Sequence, residues 1–211
     1  MRVIDFYFSP ASPYSYLAGD RLERIADRHG ARIAYKPVDV FTVFEVTGGI
    51  PVHRRHLSRQ EYRFQDLARR ARKAGMDIHL QPKFWPGDPM LPSCALIAAG
   101  AAVDAGKATG DVGVAARALM RALWAEQKDI SDTGVIAAAL DEAGFSADVL
   151  ADGASAGAIY AANTEEAVRR GVFGAPFYIV DEQRFWGQDR LDDLEDLLRG
   201  GPAKGAADAG R

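Results

Sequence analysis

The sequence predicts an α/β fold in which a long helical segment interrupts a small β-sheet. Three observations carry that reading. Strand-type segments occur only near the two ends of the 211-residue chain, at Val3–Phe8 and Arg32–Val38, then at Phe177–Val180 and Arg184–Trp186. Helical periodicity dominates from about residue 58 to residue 170. The first two strand segments enclose an amphipathic helix, and a βαβ unit of that kind has parallel strands.

Taken in order, Val3–Phe8 is an apolar run broken by Ser9-Pro10. Ser12 is placed as an N-cap with Pro13 at the first helical position, where its missing N–H costs nothing. Tyr14, Leu17, Ala18, Leu22, Ile25 and Ala26 recur at helical spacing up to Gly30, the expected C-cap. Phe41–Pro51, with Gly48-Gly49, reads as irregular. Ser58-Arg-Gln-Glu61 reads as a capping box opening a helix to about Ala74. Met76–Pro92 is a proline-rich connection carrying Trp85. Helices follow over Ser93–Ala105, Asp111–Gln127, Thr133–Ala143, Ser146–Leu150 and Ser155–Arg170, the last stopped by Gly171.

The final two strands flank Asp181-Glu-Gln183 as a hairpin. Asp189 is placed as the cap of a last helix that buries Leu191, Leu194, Leu197 and Leu198. Gly200–Arg211 is Gly/Ala-rich and reads as a frayed tail. The order βαβ, helical block, ββα is that of a thioredoxin-like fold with a large inserted all-helical domain. Residues 1–40 plus 172–200 would form the thioredoxin-like domain, 41–171 the insertion and 201–211 the tail.

Composition narrows the function classes. The chain is 48% apolar, enough for a sizeable core, and carries 26 Lys+Arg against 29 Asp+Glu, a net charge of −3. That balance weighs against nucleic-acid binding, which needs a basic footprint. The single cysteine, Cys94, rules out an intrachain disulfide and any Cys-x-x-Cys pair; it reads as a small core residue. No apolar run reaches membrane-spanning length. With a strand starting within a few residues of Met1, the expectation is a cytoplasmic protein without a secretory signal. His53 and His56 lack a third ligand, so no metal site is read, and Gly48-Gly49 has no phosphate-loop pattern.

The junction of the first strand with its helix reads Ser12-Pro-Tyr-Ser15. This is where a thioredoxin fold carries its reactive Cys-x-x-Cys, so dithiol chemistry is excluded here. A helix N-terminus still favours an anion, thiolates included, and a hydroxyl adds a hydrogen-bond donor. The thiol would then come from a ligand; the other reading of Ser12 is a plain cap. Pro176, just before the hairpin, is expected to be cis in this topological place, leaving the Ala175 N–H and C=O able to pair with a peptide-like ligand. A trans proline starting a strand is the alternative. Asp189 and Arg190 could grip the ammonium and carboxylate of an amino-acid moiety, or be a cap and a solvated side chain.

On Ser12-Pro13, Gly171-Val-Phe-Gly-Ala-Pro176 and Trp186-Gly-Gln-Asp-Arg190, the chain resembles the 2-hydroxychromene-2-carboxylate isomerases and the kappa-class glutathione transferases, within the DsbA-like group. The likeness runs from Asp5 to Leu198. It implies glutathione as cofactor, with Ser12 hydrogen-bonding its sulfur. Ala175, before Pro176, would pair with its cysteinyl part, and Gln188, Asp189 and Arg190 would lie near its γ-glutamyl end. It also implies an isomerase of aromatic-compound catabolism, in which the thiolate adds to the chromene, the ring opens, a bond rotates and the thiolate leaves. A homodimer is likewise implied by the relatives.

Two departures from the family pattern are visible. Thr47-Gly-Gly-Ile-Pro51 has Gly49 where relatives often carry asparagine, and Lys83-Phe-Trp85-Pro replaces a Phe-Pro-x-Asn run. Candidate contacts to an aromatic carboxylate substrate are Tyr14, Trp85 and Arg54 or Arg55. Trp85 reads equally as a packed core residue. The run from His53 to Lys73 holds eight Lys/Arg and two acids, which more often marks a solvated helix face. A glutathione transferase and a non-catalytic thioredoxin-fold scaffold are the rival functions.

Overall fold

A computed structural model describes residues 1–146, 148–149 and 153–200. The expected helix at 146–150 and the tail at 201–211 lie partly or wholly outside the described residues. The sheet has four strands, β1 (Val3–Phe8), β2 (Arg32–Pro37), β3 (Phe177–Val180) and β4 (Gln183–Trp186), in the order β2-β1-β3-β4. β1 runs parallel to β2, with Phe6 opposite Tyr35, and antiparallel to β3, with Phe6 opposite Tyr178. β3 and β4 are the expected hairpin. Its turn is Asp181-Glu182, both at positive φ (47° and 65°), so β4 begins one residue earlier than the sequence suggested.

β1 is central because both of its faces are apolar. Ile4, Phe6 and Phe8 point into the main core, where Phe6 stacks on Phe8 and on Tyr178 at ring-centroid distances of 4.6 and 5.1 Å. Tyr7 points to the opposite face, into a smaller core with Val38, Val43, Ala167, Phe177 and Ile179. Helices therefore cover both sides of the sheet.

The helix expected between β1 and β2 is two helices, α1 (Pro13–Tyr16) and α2 (Arg21–His29). Gly19 sits between them at φ +61°, a left-handed conformation that stops α1 after one turn. A second correction concerns the segment after β2. It is not irregular but holds α3 (Val40–Thr47), capped by the Asp39 carboxylate on the Phe41 N–H and ended by Gly48 at φ +80°. A third concerns the next helix, α4 (Leu57–Ala74). Its N-cap is His56, whose ring accepts from the Ser58 N–H, so Ser58 lies inside the first turn and is not the cap.

The remaining helices are α5 (Met90–Asp104), α6 (Val112–Trp124), α7 (Thr133–Glu142), α8 (Gly153–Arg169) and α9 (Leu191–Gly200). Asp111 and Asp132 cap α6 and α7 through their carboxylates. α5 starts at Met90, three residues ahead of the expectation, with Pro92 accommodated in its first turn.

One cluster of buried side chains runs from Ile4 and Phe8 of the sheet through Leu22, Leu67, Leu96, Leu119 and Trp124 to Leu194 of α9. Full burial of each such side chain contributes roughly 1.5–3 kcal/mol. Cys94 is buried against Ile97, Ala98 and Tyr160. Among the described residues, no helix is long and apolar enough to cross a membrane.

Candidate active site

The site forms where β1 ends. Ser12 caps α1 with extended backbone, and its Oγ accepts from the Ser15 N–H at 3.2 Å. The same Oγ donates to the Ala175 carbonyl at 3.2 Å. The Ala175–Pro176 bond is cis, as expected from its place before the hairpin. The Trp85–Pro86 bond is also cis, which no sequence signal indicated. The Ala175 carbonyl is thus met by a hydroxyl of the chain itself, where the sequence suggested an open acceptor. The N–H groups of Tyr14 and Ala175 have no backbone acceptor among the described residues. Ser15 is buried, and its hydroxyl has no partner among the described residues.

The four-residue length of α1 changes the electrostatics. The field of a long helix, on which the sequence reading leaned, is not available here. What remains is local: the Ser12 hydroxyl, and the Tyr14 and Ala175 N–H groups, which lack an acceptor among the described residues.

α4 lies over this junction and turns a charged stripe towards it. Asp66 accepts from the Tyr14 hydroxyl at 3.0 Å, and Arg70 bridges Asp66 and Asp189, each at 3.3 Å. Burial, and then the Asp66 carboxylate, push the Tyr14 hydroxyl well above its ordinary pKa, so it stays a donor at neutral pH. Arg63 is only 5% exposed. Its guanidinium lies 4.9 Å from the Trp85 ring centroid and 6.0 Å from that of Trp124. Trp85 in turn donates its Nε1–H to the carbonyl of Ala11, beside Ser12, at 3.2 Å.

Of the residues singled out in the sequence, Ser12, Tyr14, Trp85, Ala175, Pro176 and Asp189 are thus joined through direct contacts and their α4 partners. Asp189 does not act as the expected helix cap: its carboxylate faces Arg70, and the Arg190 carbonyl takes the first α9 hydrogen bond, from the Leu194 N–H. Gly187, at φ +106°, makes this turn. Arg190 is exposed, near Asp193. Gln188 is 6% exposed, and Arg21 donates to both its side-chain and main-chain oxygens.

Arg54 is exposed in a 3₁₀ turn at Val52–Arg54, outside the cluster. Its neighbour Arg55 turns inward instead, donating to the Ile50 carbonyl with its guanidinium over Phe44. At Gly49, a Cβ would run into the Phe44 ring, so this loop has no room for the asparagine of the family pattern while Phe44 stays. A groove between α3 and α8, lined by Thr42, Val46, Tyr160 and Thr164, shares no residue with the cluster.

The sequence reading missed Arg63, Asp66 and Arg70. A signal was present: Arg63, Leu67 and Ala71, at spacing four, are the buried positions of α4. An arginine on that apolar stripe cannot belong to a solvated face.

A thioredoxin-type sheet with a cis-proline loop facing a helix start defines the class, and the comparisons agree. Residues 3–199 match the DSBA-like thioredoxin domain, so the chain belongs to that family and, within it, groups with the 2-hydroxychromene-2-carboxylate isomerases. The isomerase of Sphingobium xenophagum is 33% identical over 202 residues, covering 93% of this chain and 98% of that protein. That of Pseudomonas sp. strain C18 is 28% identical over 96% of this chain and 93% of its own. A solved structure of 2-hydroxychromene-2-carboxylate isomerase superposes with a TM-score of 0.76 at 25% identity, over 93% of this chain and 94% of that one. The cytosolic disulfide reductase DsbM of Pseudomonas aeruginosa, solved with GSH, shares the fold alone: TM-score 0.65, 17% identity, 93% and 97% coverage.

Proposed function

We propose that the protein is a glutathione-dependent isomerase that converts 2-hydroxychromene-2-carboxylate, or a close analogue, to the ring-opened trans-benzylidenepyruvate. The observation that carries this reading is the Ser12 hydroxyl, held at a junction that has no cysteine of its own and meeting the Ala175 carbonyl, while the N–H groups of Tyr14 and Ala175 have no acceptor among the described residues. The relatives named as isomerases favour this reaction over conjugation.

The residues present suit glutathione. Ser12 can turn its hydroxyl from the Ala175 carbonyl to a sulfur, while the Tyr14 N–H lies on the same turn. That exchange frees the Ala175 carbonyl, which with its N–H can pair with the cysteinyl backbone as a strand would. Gln188, Asp189 and Arg190 are the γ-glutamyl contacts of this reading, with Arg190 the exposed cation among them. When bound, glutathione supplies a thiolate that adds to a conjugated carbon and departs again. Trp85 and Tyr14 wall the substrate side. A cytoplasmic location goes with this reading, because glutathione is the thiol pool of that compartment.

A glutathione titration of the native protein and Ser12→Ala tests the proposal, followed by heat of binding and thiolate absorbance. Saturable binding with thiolate forming near neutral pH, weakened in the variant, is the expected result. Absence of binding at millimolar glutathione would overturn it and leave a non-catalytic scaffold.

A further inference from the structure

We infer that Arg63 is the anion-binding residue of this site, and that it takes the carboxylate of a flat aromatic ligand. The placement of that ligand beside Ser12 rests on the isomerase reading; the anion site itself does not need glutathione.

Arg63 is 5% exposed, yet no carboxylate pairs with it, and its Nη1 is fully buried with no hydrogen-bond partner among the described residues. A guanidinium has five donors and stays charged at any physiological pH. Burying it without an acceptor is expensive, so buried arginines are almost always paired. The Trp85 and Trp124 rings offset part of the cost through cation–π attraction, but they accept no in-plane hydrogen bond.

The carboxylates nearby are already engaged. Asp66 receives the Tyr14 hydroxyl and Arg70, and Arg70 also holds Asp189. Positive charge accumulates instead. Burial disfavours the charge on Arg63, Tyr14 favours it, and Arg55 is near enough to disfavour it further. Arg55 already donates to the Ile50 carbonyl, whereas the buried Nη1 of Arg63 has no acceptor among the described residues and asks for a bound anion. The walls around the donor are Trp85, Trp124 and Tyr14, which suits an anion carried on an aromatic ring. Trp85 joins this pair to Ser12 through the Ala11 carbonyl.

The probe is trans-cinnamate, compared with uncharged cinnamamide, titrated without glutathione and followed by calorimetry and tryptophan fluorescence. The native protein should bind cinnamate at least about tenfold tighter than the amide, as a hydrogen bond to a charged group implies. Arg63→Gln should bring the two affinities together with its circular dichroism unchanged, and Arg63→Lys should keep part of the preference. Should Arg63→Gln fail to fold, Arg63→Lys carries the test, with cinnamate affinity falling and amide affinity held.

No cinnamate binding by the native protein, equal affinity for both probes, or a preference that survives in Arg63→Gln or is undiminished in Arg63→Lys would each overturn the assignment. Glutathione binding is read separately. Its failure with an Arg63-dependent cinnamate preference intact would remove the thiol reading and leave the anion site; the reverse pattern would remove only the anion site.

Discussion

The Ser12 hydroxyl donates to the Ala175 carbonyl across 163 residues of sequence, at 3.2 Å, while accepting the Ser15 N–H of its own helix. One side chain thus closes α1 and ties it to the loop before β3. Ser12→Ala should cost about 1 kcal/mol from the cap, lowering the melting temperature by about 2–4 °C in a chain of this size. Ser12→Thr, which keeps the hydroxyl, should lose less. Equal melting of Ser12→Ala and the native protein would show that neither hydrogen bond stabilises the fold.

Trp85 combines two contacts that substitution can separate. Trp85→Phe keeps an aromatic face for Arg63 but loses the Nε1–H to Ala11, and should cost about 1 kcal/mol in urea unfolding. Trp85→Leu loses the π face as well and should be clearly less stable than the phenylalanine variant. A phenylalanine variant as unstable as the leucine one would assign the stabilisation to the hydrogen bond alone.

Leu119, fully buried on α6, belongs to the same core as Ile4 and Phe8 of the sheet. Leu119→Ala should destabilise by about 2–5 kcal/mol. Since that core is continuous, tryptophan fluorescence, which reports on Trp85, Trp124 in α6 and Trp186 in β4, and far-ultraviolet dichroism should give coincident urea transitions. Separate transitions would mean that the chain does not unfold as one cooperative unit.

Arg121 joins Glu126 and both oxygens of Glu142. Hydrogen bonds from Arg121 hold Glu142 below the usual carboxylate range; Lys128, then Arg121, do the same for Glu126. A depressed folded pKa stabilises the protein above the unfolded value, about 4.3, and that contribution is lost as pH falls through the folded one. With Arg121 and Glu142 nearly half exposed, it is at most about 1 kcal/mol. Arg121→Gln should therefore melt slightly lower than the native protein at pH 7, with the gap closing by about pH 3. A gap that persists in acid would point to lost packing of the arginine stem.

Much of the site was legible because its chemistry is local. Ser-Pro at the end of an apolar strand specifies a capped helix start, and a Gly-Ala-Pro before a two-strand signal marks the loop that faces it. α3 was also within reach of sequence reasoning, since Asp39 and Gly48 bracket it as cap and stop; the paired glycines at 48–49 drew attention away. The break at Gly19 competed with a clean apolar repeat running through Leu22 and Ala26. A left-handed glycine is invisible to a count of periodic positions.

By itself the sequence determined the order of the four strands and the helical segment between them, the absence of a thiol at the helix start, and the two segments that meet there. Those properties follow from residue type and from spacings within one turn or one strand. Only the tertiary structure decided that Asp189 pairs with Arg70, that Arg54 stands outside while Arg55 meets the Ile50 carbonyl, and that Arg63 is buried against two tryptophans. The charge run 53–73 has one composition whichever way α4 is rotated. Its rotation is set by Leu67 and Ala71 packing into a core built from both ends of the chain.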